Sequence, residues 1–309
     1  MSRSRFPLRV AVGLLACTSS LAMFTGCSQH TPPQDLHAEH MASASAATAS
    51  KPTPSDPSIP AGAVDVAQRL ASSPRHGEYV MVPTGAGDSV RAWVVYPERS
   101  TKAPVVVVVH EIFGLSTWVR GVADQLAADG YIAIAPDLLT GKATPAPGTD
   151  TLTQAVATST IRTLKPDDVQ RQLAAVGKYG MSLPAAEHSY GIVGFCWGGG
   201  ISFAHAVVSP PELGAAVVYY GTSPALASLS SVRVPVLGLY AGDDARVGAT
   251  VPPADSAMRA MGKTFEVHSF AGAGHGFLRQ QDGKDGANMA ASRQAWPLTI
   301  DFFRKHLGR

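Results

Sequence analysis

The stretch YGIVGFCWGGGISFAHAVV, residues 190–208, has the pattern of a buried strand, a sharp glycine-rich turn and a helix of mostly small residues. Cys196 stands at the turn, with Gly194 and Gly198 placed around it in a G-x-nucleophile-x-G spacing. Glycines are needed on both sides because a side chain would clash in so tight a turn. A strand, turn and helix in this order project the central side chain above the sheet, so Cys196 is a candidate nucleophile. The alternative interpretation is a small buried thiol in a structural turn.

Strand and helix signals alternate on both sides of this stretch. APVVVVVHEIFG, residues 103–114, contains five consecutive valines, a run typical of a strand covered on both faces in a parallel sheet. Residues 77–83 and 89–97 are expected to form an antiparallel opening pair. The other strand signals are residues 131–137, 214–221, 234–242 and 264–272, and the helix signals are residues 116–130, 165–180 and 291–308. The alternation predicts an α/β fold with a doubly wound, mostly parallel sheet, helices on both faces and a single domain. Pro297 is expected to kink the closing helix or to mark a late start.

Polar and reactive side chains follow several of these strands. Ligands of such sheets bind at the carboxyl ends of the strands, so the residues just after each strand are the candidates for a site. These residues are His110, Glu111, Asp137, Cys196, Asp243, Asp244 and His275.

A thiol nucleophile needs a base, because free cysteine has a pKa of about 8.5 and is mostly protonated at neutral pH. His275 in GAGHGF is the best candidate, since it lies in a glycine-rich loop between the last strand and the closing helix. The acid that orients the histidine is expected between nucleophile and histidine in chain order. LYAGDDARV supplies Asp243 and Asp244 there, and from spacing alone either would serve.

The end of the five-valine strand is expected to complete the site. The backbone N–H groups of Ile112 and Trp197 would form an oxyanion hole, the pair of donors that stabilises negative charge on a substrate carbonyl oxygen. Glu111 is unusual there, because a carboxylate close to a thiol opposes thiolate formation. The hypothesis is that Glu111 keeps the resting thiol of Cys196 protonated until substrate binding moves the carboxylate.

Four motifs, HEIFG, GFCWGG, GDDARV and GHGFLR, occur in an order that resembles the dienelactone hydrolase (carboxymethylenebutenolidase) family of the α/β-hydrolase superfamily. The resemblance covers residues 76–309 and implies an α/β-hydrolase fold. It implies a catalytic triad in which Asp244, rather than Asp243, is the acid. The residues that it assigns are Cys196, Asp244 and His275 for the triad, Ile112 and Trp197 for the oxyanion hole, and Glu111 as the regulating carboxylate.

The resemblance also concerns the substrate. Arg279, four residues after His275, matches a family arginine that binds the substrate carboxylate. A second arginine is expected shortly after the strand that ends at Asp137, but PDLLTGKATPAPG offers only Lys142 as a nearby cation. Lysine can neutralise a carboxylate but lacks the bidentate fork of arginine, so Lys142 is the candidate for a weaker second contact.

Composition excludes some classes of partner. The 309 residues include 16% charged residues with a net charge of +2, which gives no basic stripe for nucleic acid. The expected partner is a small lactone or ester, without metal or cofactor, and the protein is expected to be a monomer.

The N-terminus has the pattern of an export signal. Arg3, Arg5 and Arg9 precede an apolar run at residues 10–24, which is shorter than the roughly 20 residues of a membrane-spanning helix. FTGC ends at Cys27 and resembles the lipobox of bacterial lipoproteins, which predicts lipidation of Cys27. Cys17, after a shorter apolar segment, is a second candidate. The alternative is a plain secretory signal.

The predicted organisation is a lipoprotein-type signal peptide at residues 1–26, a flexible tether rich in Ser, Ala and Pro at residues 27–75, and the hydrolase domain at residues 76–309. The expected location is the periplasmic face of a bacterial membrane, with a soluble periplasmic or secreted protein as the alternative.

The predicted function is hydrolysis of a lactone or small carboxylic ester through an acyl-enzyme on Cys196. The alternatives are a general carboxylesterase or thioesterase and a non-catalytic lipoprotein that binds a small molecule. A thiol redox protein is disfavoured, because Cys196 is the one thiol expected in the processed domain and no second cysteine is present to resolve an oxidised form.

Overall fold

The structure is a computed structural model that describes residues 56–142, Thr149 and residues 152–308. These residues belong to one compact unit, Ser50–Arg309. The predicted signal peptide, Cys17 and Cys27 lie outside the described residues.

One mixed sheet of eight strands organises the described part of the chain. Its strands are β1 (Gly77–Pro83), β2 (Ser89–Val95), β3 (Ala103–Val109), β4 (Ile132–Asp137), β5 (Ala186–Phe195), β6 (Leu213–Tyr219), β7 (Val236–Ala241) and β8 (Phe265–Phe270). Their order across the sheet is β1-β2-β4-β3-β5-β6-β7-β8. β2 pairs antiparallel with β1 and β4, and all other neighbours are parallel. The predicted fold class and the antiparallel opening pair are confirmed.

β3 lies inside the sheet with every residue buried. Its side chains alternate between two apolar clusters, because successive residues of a strand point to opposite faces. Val106 and Val108 belong to one cluster, and Val105, Val107 and Val109 to the other. The valine run therefore fills both faces of a covered strand, as the sequence predicts.

Helices cover both faces of the sheet. They are α1 (Val66–Ala71), α2 (Thr117–Ala128), α3 (Gln154–Ile161), α4 (Pro166–Ser182), α5 (Trp197–Val208), α6 (Ala245–Gly248), α7 (Val251–Ala260) and α8 (Ala287–Leu307). The apolar sides of α2 and α8 pack on one face, and those of α4, α5 and α7 pack on the other. The helices cover the faces of the sheet, so a functional site is expected at the carboxyl ends of the parallel strands.

The closing helix α8 runs through Pro297 as one element, so the expected late start is wrong. Proline removes one backbone N–H from the helical hydrogen bonds, which weakens a helix locally. The neighbouring Trp296 and Ile300 are buried in the core, and this packing holds the helix on both sides of the proline.

The structure differs from the sequence prediction at the start of the domain. Residues 56–75 were assigned to the tether, but Ile59 and Val66 have only 1% and 3% of their surface exposed. We call residues 56–63 the N-terminal strap. Arg69 of α1 donates hydrogen bonds to the carbonyl oxygens of Ile59 and Asp56, at 2.6 and 2.9 Å. The prediction was wrong because composition reports only that apolar residues are few here, whereas three of them, Ile59, Ala61 and Val66, are buried in the core.

Within the ranges described above, no helix is both long enough and apolar enough to span a membrane. Among the same residues, no group of three or more His, Cys, Asp or Glu side chains is arranged to hold a metal ion.

Candidate active site

Cys196 lies at the carboxyl end of β5, immediately before α5. Its φ of 57° and ψ of −116° are unusual for a residue with a side chain. A Cβ atom on Gly194 would overlap the backbone oxygen of Gly198, and one on Gly198 would overlap the backbone oxygens of His110 and Val109. The turn therefore closes only with glycine at both positions. It presents a buried thiol that is 9% exposed.

His275 and Asp244 meet beside this thiol. The Nδ1–H of His275 donates to Oδ2 of Asp244 at 2.5 Å. The other oxygen of Asp244 accepts a hydrogen bond from the N–H of Val247 at 3.2 Å, which fixes the carboxylate. The imidazole also interacts with Cys196. Asp243 points elsewhere and forms a surface ion pair with Lys284, Nζ to Oδ2 at 3.2 Å. Of the two aspartates that spacing left open, Asp244 is therefore the one that contacts the histidine.

The electrostatics of this pair favour a charged histidine. Burial lowers the pKa of His275, but the contacts with Asp244 and Cys196 outweigh it and raise the pKa to about 9. Burial opposes ionisation of Asp244 as well, yet the hydrogen bonds from His275 and Val247 leave its pKa below the ordinary value. The arrangement can therefore hold a proton on the imidazole next to the sulfur of Cys196.

Glu111 and Arg279 form a buried ion pair at the same edge. Nε of Arg279 lies 2.8 Å from Oε2 of Glu111, and the guanidinium lies over the ring of Phe113, 5.1 Å from its centroid. Burial raises the pKa of Glu111, while Arg279 and His275 lower it in part. No hydrogen bond joins Glu111 to Cys196 in the described part of the chain. The carboxylate is therefore turned towards the arginine.

The predicted oxyanion donors are backbone groups at two element ends. Ile112 follows β3, and Trp197 is the first residue of α5, where helical N–H groups have no partner within the helix. Within residues 56–142 and 152–308, neither N–H donates a hydrogen bond to the protein. A helix N-terminus also favours developing negative charge. Both N–H groups can therefore receive an oxyanion.

Lys142 is not brought to this group. It lies exposed on a turn after β4, its N–H donates to the oxygen of Leu139, and the residues that follow are outside the described ranges. Asp137, which its position at a strand end made a candidate, instead accepts hydrogen bonds from the backbone N–H and the hydroxyl of Thr149, at 2.7 and 2.6 Å. Asp137 thus holds Thr149 in place.

Sequence reasoning overlooked Tyr220. It directly follows β6 with a positive φ of 39°, and its ring centroid lies 5.1 Å from that of His275. The phenol is buried and interacts electrostatically with Glu111, Arg279 and Cys196. Burial raises its pKa well above the ordinary value. The sequence predicts a strand through residue 221, which makes Tyr220 an apolar strand residue, whereas the strand ends at Tyr219 in the structure.

The chain is similar to known proteins along most of its length. The sequence profile of the dienelactone hydrolase family matches residues 90–307. A Salmonella typhi protein with the provisional name carboxymethylenebutenolidase is 30% identical over 262 residues, which covers 77% of this chain and 95% of the relative. A Klebsiella pneumoniae structure provisionally described as a dienelactone hydrolase has a TM-score of 0.66 at 26% identity, covering 75% of this chain and 99% of that one.

A second structural neighbour supports the fold alone. It is a dienelactone hydrolase-like promiscuous phosphotriesterase from metagenomic libraries, with a TM-score of 0.64 at 24% identity, covering 76% of this chain and 99% of the neighbour. The family profile spans most of the chain, and the Salmonella relative is matched over nearly its whole length. The chain is therefore a hydrolase of the α/β-hydrolase superfamily and belongs to the dienelactone hydrolase family.

Proposed function

We propose that the protein hydrolyses a lactone or a small carboxylic ester through an acyl-enzyme on Cys196. The observation that carries this proposal is that His275 interacts with two partners, with Oδ2 of Asp244 at 2.5 Å through Nδ1 and with the thiol of Cys196. A nucleophile, a base and an orienting acid in contact are the arrangement that activates a nucleophile for acyl transfer.

The reaction would proceed in two halves. The thiolate of Cys196 attacks the carbonyl carbon, and the N–H groups of Ile112 and Trp197 stabilise the oxygen as it becomes negative. The C–O bond to the alkoxide then breaks, and the imidazolium of His275 gives its proton to the leaving oxygen. In the second half, His275 takes a proton from water, whose oxygen attacks the thioester carbonyl. The C–S bond then breaks, the carboxylic acid leaves, and the sulfur is released as the thiolate beside the imidazolium, which restores the starting pair.

Glu111 is proposed to regulate the thiol by occupying two positions. Near the thiol, its carboxylate would oppose ionisation of Cys196. Paired with Arg279, as it is in the described geometry, it leaves His275 as the polar group that acts on the thiol. Substrate binding is proposed to favour the second position.

Arg279 is the proposed contact for a substrate carboxylate. Its pair with Glu111 uses Nε, while a guanidinium offers five N–H donors in all, so the same side chain can hold a second carboxylate. Lys142 is exposed on the turn after β4 and is not brought to this group, so it is not proposed as a second cationic contact. A substrate with one carboxylate fits this charge distribution better than one with two.

Two alternative functions would use the same site. A general carboxylesterase or thioesterase would use the same three side chains on uncharged acyl groups. A non-catalytic binding lipoprotein has no need for the Asp244 to His275 contact or for a strained cysteine turn, so these features favour catalysis.

The location and assembly are also proposals, and they rest on the sequence. We propose export and lipid attachment at Cys27, with the domain held at the periplasmic face of a bacterial membrane. The active unit is proposed to be a monomer that binds no nucleic acid.

Hydrolysis of dienelactone beside a short chromogenic ester tests the proposed function. With the purified full-length protein, Cys196→Ala should lower kcat/KM for the hydrolysed substrate by roughly a thousandfold or more, because acylation is lost. Dienelactone cleavage would assign the lactone, and cleavage of the ester alone would assign a general esterase. Turnover that persists undiminished in Cys196→Ala would rule out the thiol mechanism.

A further inference from the structure

His110 is a buried histidine that the proposed mechanism does not use. It follows β3 directly, and none of its surface is exposed. The backbone N–H of Leu138, at the end of β4, donates to its Nε2 at 3.2 Å. Since Nε2 accepts a hydrogen bond, the proton of the neutral ring is on Nδ1. Nδ1 lies 2.7 Å from the carbonyl oxygen of Glu111, to which its N–H donates.

This hydrogen bond acts on the peptide unit that carries a proposed oxyanion donor. The carbonyl of Glu111 and the N–H of Ile112 belong to one planar trans peptide, so they point in opposite directions. An anchor on the oxygen therefore sets the direction of the N–H. The same oxygen also accepts a hydrogen bond from the N–H of Gly114 at 3.2 Å. The Nδ1–H of His110 and the N–H of Gly114 thus hold the carbonyl end of this peptide, and its N–H end is left for an oxyanion.

The face of the same imidazole contacts the residue that carries the second donor. The rings of His110 and Trp197 are stacked, with centroids 5.6 Å apart and planes 19° from parallel. A Cβ atom on Gly198, the next residue, would overlap the backbone oxygen of His110. The end of β3 and the start of α5 are therefore in direct contact, through the stacked rings and through the backbone of His110 and Gly198.

We propose that His110 is a positioning residue for the oxyanion hole, holding the Ile112 N–H through the Glu111 carbonyl and aligning the start of α5 through Trp197. This inference rests on the proposed function, because it assumes that an acyl carbonyl is polarised at these N–H groups. His110 acts from behind the peptide and does not touch the substrate. Burial lowers its pKa, which agrees with a neutral ring that serves as a fixed donor and acceptor.

A pair of substitutions separates the two ring nitrogens. The side-chain amide of asparagine reaches the position of Nδ1, so His110→Asn keeps a donor for the Glu111 carbonyl. The amide of glutamine reaches the position of Nε2, so His110→Gln keeps a partner for the Leu138 N–H and loses the donor to Glu111. Each variant loses one hydrogen bond and the aromatic stack, which makes the two a matched pair for stability.

The test measures ester hydrolysis and thiol alkylation in the full-length protein. In His110→Gln, kcat should fall roughly thirtyfold or more, with KM within about twofold, because a misdirected donor weakens transition-state binding. In His110→Asn, kcat should stay within roughly fivefold of the wild type. Alkylation of Cys196 by iodoacetamide forms an S–C bond and expels iodide without any oxyanion. Its rate should therefore change little in either variant.

Equal losses of kcat in both variants would overturn the proposal and assign His110 a structural role. A parallel fall in the alkylation rate would also overturn it, since the thiol itself would then be affected. Failure of the proposed function looks different: Cys196→Ala would hydrolyse the ester as well as the wild type.

A measurement on the wild type covers the case in which the variants fail to fold. Nitrogen NMR of the labelled protein should show His110 as a neutral ring protonated on Nδ1 across the neutral pH range. Its Nδ1–H signal should shift when an aldehyde adds to Cys196 and places an oxyanion in the hole. Protonation on Nε2, or no shift, would overturn the proposal.

Discussion

Cys196 has a backbone conformation that residues with side chains rarely adopt, and such strain costs on the order of 1–3 kcal/mol. The surrounding contacts sustain it, because the glycines on both sides let β3 and α5 approach closely. The strain holds the sulfur at the tip of the turn, where it meets His275. Sequence reasoning predicted this residue correctly at the turn because the glycine spacing expresses the same steric requirement.

At the residue scale, Asp244→Asn tests the source of the charge on His275. Asp244 and Cys196 together raise the pKa of His275 to about 9 against the effect of burial, so replacing the Asp244 carboxylate by an uncharged amide should lower that pKa. The imidazolium then loses its proton at a lower pH, and the alkaline limb of the kcat/KM profile should move to lower pH. The rate at neutral pH should fall roughly a hundredfold to ten-thousandfold.

Asp243→Asn is the control for this change, because Asp243 pairs with Lys284 at the surface instead of with His275. Its pH profile should match the wild type. An unshifted alkaline limb in Asp244→Asn would show that the carboxylate does not set the pKa of the histidine.

At the scale of elements, long periodic signals were predicted well and short irregular ones were not. The continuous run of five valines is typical of a strand covered on both faces, so β3 was predicted from this pattern alone. The N-terminal strap could not be predicted, because its anchors are partners distant in sequence. The N–H of Ala63 donates to the oxygen of Arg279 at 2.8 Å, and Nε2 of Gln281 donates to the oxygen of Pro60 at 2.7 Å.

Ile59→Ala tests whether the N-terminal strap is part of the folded domain. Ile59 is almost completely buried, so its truncation should lower the free energy of unfolding by about 2–5 kcal/mol. Val64→Ala is the matched control, since 75% of Val64 is exposed and the change should stay within about 0.5 kcal/mol. Urea unfolding of both variants measures the difference. Equal urea midpoints for the two variants would show that the N-terminal strap is part of the tether and not of the folded domain.

At the scale of the whole molecule, the sheet gathers residues from distant parts of the chain at one edge. Glu111, Cys196, Asp244 and His275 each follow a different parallel strand, and the rule for strand ends placed them correctly. The ion pair between Glu111 and Arg279 and the burial of Tyr220 depend on packing between loops. No periodicity in the sequence encodes such contacts, so they became known only from the fold.

Export and anchoring belong to the same scale. Cys27→Ala should abolish incorporation of labelled palmitate into the protein, whereas Cys17→Ala should leave it unchanged, because only the lipobox cysteine receives the lipid. Esterase kcat/KM of the solubilised Cys27→Ala variant should equal that of the wild type, since the candidate site lies within the domain. Palmitate labelling that is lost in Cys17→Ala and kept in Cys27→Ala would assign the lipidated cysteine to Cys17 instead.

The N-terminal strap has a consequence for how this domain can be exchanged between proteins. A gene fusion that joins a new leader at residue 76 would keep every catalytic motif yet remove the backbone partner of Arg279. The recombinant would fold less stably and hold Arg279, the proposed contact for a substrate carboxylate, less firmly. As a unit of inheritance, the hydrolase module therefore includes the strap, and a crossover that preserves function falls before residue 56.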